Sequence, residues 1–298
     1  MQDEALRKGP RKHGGMTSTL PAVGLPATVT AEQALAAAGV RAQHLDTLDA
    51  VRAAEALFVD VWQSPGTPPL TAELMRAVEH AGGYVVGAYD GERMIGASSG
   101  FLAMGPDGRC RLHSHISGVL AEAQGRRVGW ALKQHQRSWA LERGIETITW
   151  TFDPLVRRNA WFNLGKLGAC AVEYLVDFYG PMEDGLNFGE PTDRLFTHWD
   201  LLSPGAVAAA AGCPVVPSVE SAVLILDEKD GWPCATGTAH TSGPALIRLP
   251  ADVERLRSTQ PDAARAWRLA VRHALGPLLD VGGRADGLTP DGCLVVGT

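Results

Sequence analysis

Cysteine is scarce in this sequence, and none of it is spaced for pairing. The five residues, Cys110, Cys170, Cys213, Cys234 and Cys293, are odd in number and widely scattered. No C-x-x-C spacing occurs, which argues against a zinc ribbon or a disulfide framework and fits a reducing cytoplasm. No apolar run reaches the ~18 residues that a membrane-spanning helix needs, so no membrane partner is expected. Met1–Gly15 is charged and lacks the apolar centre of a secretory signal. Excess positive charge is missing too: the net charge is −6, whereas nucleic-acid binders carry a basic footprint. Two phosphate-binding strings are also absent, the P-loop G-x-x-x-x-G-K-[ST] and the dinucleotide fingerprint G-x-G-x-x-G. What remains is an ordinary globular chain, 45% apolar over 298 residues, long enough for one large domain or two small ones.

The most informative stretch present is Gln124-Gly125-Arg126-Arg127-Val128-Gly129-Trp130-Ala131. It follows the apolar, strand-like run Leu112–Leu120. It opens a helical pattern through Val128, Ala131, Leu132, His135 and Trp139. The first amides of a helix have no intrahelical partner, and the helix dipole adds positive charge where they point. With Arg126 and Arg127 beside them, this turn is suited to a phosphate or pyrophosphate.

The rest of the chain reads as follows. Residues 1–30 form a leader rich in charge, Gly and Pro, expected to be flexible. Ala31–Ala38 can add a short helix. Val51–Trp62 and Leu70–Ala81 read as helices, and Tyr84–Tyr89 with Met94–Phe101 as a hairpin around Asp90-Gly91. Glu146–Phe152, Val172–Tyr179 and Arg194–Leu201 read as strands, with a long loop at Gly180–Pro191. Residues 203–220 read as an Ala/Pro/Gly-rich connector. Beyond it come strands at Ser221–Leu226, Ala245–Leu249 and Leu294–Val296, and helices at Asp252–Ser258 and Pro261–Leu275.

The Gln124–Gly129 turn resembles the acetyl-CoA motif of the GNAT N-acyltransferases, Q/R-x-x-G-x-G/A. Gln124 takes the first position and Gly129 the last, while Arg127 replaces the middle glycine. The family's late motif, N-x-x-A-x-x-x-Y-x-K-x-G, is similar to Arg158–Gly168: Ala160 and Lys166-Leu167-Gly168 match, and Leu164 stands where the family has Tyr. The resemblance covers about residues 41–202. It is nearest to a bacterial branch of predicted GNAT acyltransferases that carries Leu112–His115, Asn159–Gly168, Tyr179–Met182 and Asp193–Leu195 as similar strings. It implies an α+β GNAT fold: a mixed, mostly antiparallel central sheet flanked by helices over residues 31–202. A small α+β C-terminal extension, 203–298, would pack on it. It also implies an acyl-CoA cosubstrate, acetyl-CoA or succinyl-CoA, since some members of that branch are associated with N-succinylation of amino acids. The partner implied is a small-molecule amine; a homodimer is left open.

Acyl transfer to an amine sets the candidate residues. The amine must lose a proton, because an alkylammonium near ~10.4 is mostly charged at neutral pH. His113 and His115 are two apart on one strand, so their side chains share a face, and histidine titrates nearest neutrality. They lie 11 and 9 positions before Gln124. The arylalkylamine N-acetyltransferases carry a histidine pair at these offsets that removes a proton through water, and the histone-acetylating members carry a catalytic Glu at the first. The pair is read as catalytic; the alternatives are a polar strand face or half of a metal site, for which no third ligand is suggested. His115 lies nearer the pantetheine end. The resemblance assigns main-chain groups of Gly118, Val119 and Leu120 to the pantetheine arm and the oxyanion. It assigns Gln124, Gly125, Arg126, Arg127, Val128 and Gly129 to the pyrophosphate. Asn159, Asn163 and Lys166 can reach the cofactor, or Asn159 can cap a helix. Arg158 and Arg194, with Arg157, are candidates for a substrate carboxylate. Trp150, Trp161 and Trp199 can line a pocket or fill the core. With Tyr missing at 164, no general acid is assigned; Tyr174 and Tyr179 are off register. The rival reading is an acyl-CoA-binding module without transferase activity.

Overall fold

The computed structural model describes residues 26–64, 66–180, 182, 190–214, 216–237 and 243–297. The chain begins with α1 (Ala27–Ala38) and the short strand β1 (Arg41–His44). Two helices follow, α2 (Leu48–Trp62) and α3 (Ala72–His80), each started by a threonine: Thr47 Oγ1 accepts from the Ala50 amide and Thr71 Oγ1 from the Leu74 amide. Next come β2 (Tyr84–Asp90), β3 (Arg93–Met104) and β4 (Cys110–Val119). Gly91, at φ +56°, makes the expected hairpin turn. Then α4 (Val128–Leu141) and β5 (Thr147–Phe152) lead to α5 (Arg157–Ala160), which runs on as a π-helical turn over Trp161–Lys166. Strands β6 (Cys170–Leu175) and β7 (Arg194–Asp200) complete the order of elements that the resemblance implies.

The remaining third holds α6 (Pro204–Ala210), β8 (Val223–Lys229), β9 (Trp232–Ala235), β10 (Ala245–Arg248), α7 (Val253–Thr259), α8 (Pro261–Asp280), β11 (Arg284–Leu288) and β12 (Cys293–Gly297). All twelve strands join one sheet in the order β1-β2-β3-β4-β5-β7-β6-β11-β12-β10-β8-β9. Among the described residues only β4–β5 and β10–β8 are parallel. The mixed, mostly antiparallel α+β architecture expected from the sequence is therefore present.

Several expectations need correction. α1 begins at Ala27, so the last residues of the expected leader are helical; residues 1–25 lie outside those described. The supposed connector contains α6, whose Ser203 hydroxyl accepts from the Ala206 amide while Pro204 occupies the first turn. Strand β6 ends at Leu175 rather than Tyr179, because Asp177 turns to φ +47° and its amide bonds to the Asp193 carboxylate. Most of the expected Gly180–Pro191 loop lies outside the described residues.

The β4–β5 ladder positions the site. It holds at only two places, Leu112 opposite Ile148 and His113 opposite Thr149. From Ser114 onward the strands part and the sheet forks. One strand away, the β3–β4 ladder slips: Ser99 faces Ile116 and Phe101 faces His113, so three steps on β4 oppose two on β3. The slip changes which face each residue presents. Leu112 joins the core under α4, while Ile116 joins the separate core of α2 and α3.

Candidate active site

The mouth of the fork is a cleft of about 430 Å³ lined by Val119, Gln124, Gly125, Arg127, Val128, Gly129 and Trp130 on one side and by Phe162 and Lys166 on another. The backbone makes this turn with two left-handed residues, Gly125 at φ +82° and Arg127 at φ +66°. The second is where the family motif has glycine, and holding a Cβ there costs about 1–2 kcal/mol. Arg127 immediately precedes α4, and the earliest backbone bond it accepts is from the Ala131 amide. The amides of the first turn thus face the cleft beside the Arg127 and Lys166 side chains. Arg126 points elsewhere: its guanidinium pairs with Asp90 at 2.9 Å.

Of the three main-chain candidates at the end of β4 and just after it, one faces the fork. The Leu120 amide donates to Ile95 O, and the Gly118 carbonyl lies toward Gly96 of β3. Strand alternation then directs the Val119 amide and carbonyl into the fork. Gly118 is glycine for a packing reason, since a Cβ would come within 2.8 Å of the Trp62 ring.

At the apex of the fork sit the two histidines, ring centroids 6.5 Å apart and both against Phe101, at 5.0 and 5.9 Å. His113 stacks on Phe196 and its Nδ1 is 3.1 Å from Thr149 Oγ1. His115, two residues past the last β4–β5 pair, is exposed. Burial, then the neighbouring His115 and Lys133, lower the His113 pKa to about 4, and desolvation lowers that of His115. Both rings are therefore neutral at ordinary pH.

Lys133 was not singled out by sequence. It sits on the buried side of α4, donates to Ser114 Oγ (2.7 Å) and Gln136 Oε1 (3.1 Å), and lies 4.2 Å above the Trp150 ring. With no carboxylate among these partners, burial brings its pKa down to about 7. Periodicity marks α4 positions as buried but does not say that one will be a lysine.

The remaining candidates divide. Lys166 lines the cleft; Asn159 and Asn163 do not, and Asn159 sits inside α5 rather than capping it. Leu164 is fully buried core. Arg158 pairs with Glu254 on α7, and Arg157 donates to Pro290 O. Arg194 is buried at the edge of the histidine face, with its guanidinium 5.4 Å from the Tyr179 ring. Tyr174 donates to Asp193 at 2.7 Å, whereas the Tyr179 hydroxyl lies 3.0 Å from Thr151 Oγ1. Trp150 and Trp199 pack edge-to-face in the core, and Trp130 is the tryptophan of the cleft. Among the described residues no cluster of three or more His, Cys, Asp or Glu can hold a metal ion, and no helix is long and apolar enough to cross a membrane.

No family model and no curated protein matches the chain. Solved structures do. The ribosomal-protein-S18-alanine N-acetyltransferase from Escherichia coli is 14% identical, covering 56% of this chain and 96% of its own, with a TM-score of 0.44. An N-acetyltransferase from Staphylococcus aureus Mu50 is 16% identical over 54% and 99%, with a TM-score of 0.44. An acetyltransferase of the GNAT family from Streptococcus pneumoniae is 12% identical over 53% and 98%, with a TM-score of 0.43. Every one of these scores lies below 0.5.

Proposed function

We propose that this chain is a GNAT-type N-acyltransferase that moves an acyl group from CoA to the amine of a small molecule. The observation that carries it is the β4–β5 fork, with a cationic, amide-lined cleft at its mouth and two neutral histidines at its apex. The pyrophosphate sits on the first turn of α4 beside Arg127 and Lys166, and the pantetheine arm runs along Val119. The amine nitrogen attacks the thioester carbonyl carbon, the C–S bond breaks, and CoA leaves as thiolate and takes a proton from solvent. His115 accepts the amine's proton, directly or through water, and His113 holds the ring face beside it. General base assistance of this kind is worth roughly 10²–10⁴ in rate. An amino acid is the acceptor class to test first, as the bacterial branch that the strings resemble implies. Acetyl-CoA and succinyl-CoA are the donors to test, in keeping with the bacterial branch that the strings resemble and with a cytoplasmic enzyme.

Two features favour the alternative, an acyl-CoA-binding module that does not transfer. Arg127 occupies a left-handed position, and Leu164 is sealed in the core where the family's Tyr would stand. Thiol release from each donor across a panel of amino acids decides. Release that depends on the amine, and that falls about a hundredfold in His115→Gln with acyl-CoA affinity kept, supports the transferase. Tight acyl-CoA binding with no amine-dependent release in any pairing supports the module.

A further inference from the structure

The wall of the cleft opposite α4 belongs to the C-terminal third of the chain. Beyond the turn and the Phe162–Lys166 side, the cleft is lined by Ala209, Gly212 and Pro214. These residues lie at the end of α6 and just after it, in the stretch that reads as a mere connector.

Several contacts hold them in place. Ser203 caps α6, and Ala206, Ala209 and Ala210 are buried. At Gly168, just beyond the π-turn that carries Phe162 and Lys166, a Cβ would come within 2.6 Å of the Gly205 backbone. The start of α6 is therefore pressed against the segment that forms the middle of the cleft. At its far end the Gly212 amide bonds to Ala209 O and the Cys213 amide to Ala208 O, and Gly212 takes φ +84°. This is a closed helix terminus, not a loose strand of connector.

Resting on the acyltransferase reading above, we propose that α6 and the turn after it form the outer wall of the acyl-CoA site, so that the cosubstrate is held by both parts of the chain. The two sides of the cleft differ in chemistry as such a ligand requires. Helix amides, Arg127 and Lys166 meet the phosphates. Ala209, Pro214 and Phe162 offer an apolar surface to the uncharged part of the molecule, its adenine or pantetheine arm.

The test has two readouts on the full-length protein. Pro214→Glu places a carboxylate at an exposed wall position without removing any hydrogen-bond donor. It should weaken acetyl-CoA about tenfold in calorimetry, by setting a charge against the uncharged part of the ligand in place of an apolar surface. Cys213, exposed between Gly212 and Pro214, should be alkylated by iodoacetamide about fivefold more slowly with saturating acetyl-CoA, from simple occlusion of an accessible thiol. Cys110, exposed at the start of β4, serves as the unprotected reference. If Pro214→Glu does not fold, protection of Cys213 decides alone. Wild-type affinity in Pro214→Glu, or equal alkylation of Cys213 with and without acetyl-CoA, overturns the wall. The acyltransferase reading then still stands if Gly129→Asp abolishes binding. A wild-type protein that binds no acetyl-CoA overturns both.

Discussion

At the scale of single residues, the two histidines differ more than their spacing suggests. His113 is wedged between Phe101 and Phe196 and tied to Thr149, whereas His115 stands exposed past the fork. Sequence alone places the acid limb of activity near the ordinary histidine value of ~6.5. Burial and the two neighbouring basic groups move His113 to about 4, and desolvation moves His115 downward as well. The active form of a base is the neutral one, so the loss of kcat/KM that comes from protonating the histidines should set in below 6.5. At neutral pH the slope should instead track the amine's own ionisation. A separate inflection at about 6.5, distinct from the amine's own and lost in His115→Gln, would show a ring with an ordinary pKa and remove the desolvated pair as the base. The turn offers a cleaner substitution. An added Cβ at Gly129 meets only Val119 Cγ2, at 3.8 Å, an ordinary contact. Gly129→Ala should therefore fold and bind acyl-CoA within about threefold of wild type. Gly129→Asp should lose well over about tenfold, because its charge opposes the pyrophosphate. Equal affinities in calorimetry would mean that no phosphate sits there.

Elements that carry their own local signal were legible in the sequence. The β2–β3 hairpin announces itself through Asp90-Gly91 between alternating apolar runs, and α4 through its stripe after a Gly-rich turn. The cleft at the start of α4 is lined by the same stretch. The elements that escaped have weak local signals and are fixed by tertiary contact. β1 is a polar edge strand of four residues, mostly exposed. β11 contains Arg284, Asp286 and Gly287, yet it lies inside the sheet because β6 and β12 pair on either side. The slip in β4 that separates Leu112 from Ile116 depends on its partner strand and has no signature along the chain. The slip also explains why an alternation argument places the histidine pair correctly but not the residues after it. α6 is different, because Ser203-Pro204 before an alanine run is a helix start that composition obscured. Ser203→Ala should remove the cap and cost about 1 kcal/mol, read as a lower midpoint in denaturant. Because α6 leans on the segment that carries Phe162 and Lys166, acyl-CoA affinity should fall in the same variant. A Ser203→Ala protein with unchanged stability would show that the helix is held by its packing alone.

Across the whole molecule, buried charge joins the two parts of the chain. Arg268 donates to both oxygens of Asp153 at 2.9 and 3.0 Å, Arg257 bonds Asp153 and Glu190, and Arg272 grips Asp193 at 2.8 and 2.9 Å. Burial alone would raise the Asp153 carboxyl, but Arg268 and Arg257 outweigh it and hold the pKa down to about 2. Truncation after Leu202 would strip these partners, uncover the face that receives Trp267 and Val271, and leave the β6 edge that meets β11 without a partner. That fragment should aggregate; a soluble, cooperatively melting fragment would show that the arginines and α8 are dispensable. The same buried groups set how stability follows pH. His113 and His135 both titrate at about 4 in the folded chain against 6.5 when free. Between those values the unfolded chain binds more protons, so stability is full above 6.5 and is lost as pH falls toward 4. Lys133 acts with the same sign higher up: its folded value is about 7 against 10.5, so stability falls as pH drops through that interval. Asp153 adds a last loss between 3.8 and about 2. The melting temperature should therefore be higher at pH 8.5 than at pH 7 and lower again at pH 5, rather than peaking near the sequence pI of 5.8. His135→Gln keeps a hydrogen-bonding partner for the buried Tyr84 hydroxyl, which lies 2.9 Å from His135 Nδ1, while removing one titration. Its melting temperature should fall less steeply between pH 6.5 and 4.5 than that of the wild type, measured by calorimetry at constant ionic strength. Parallel curves for the two proteins would show that His135 keeps its free pKa in the fold, and that the acid sensitivity belongs to other groups.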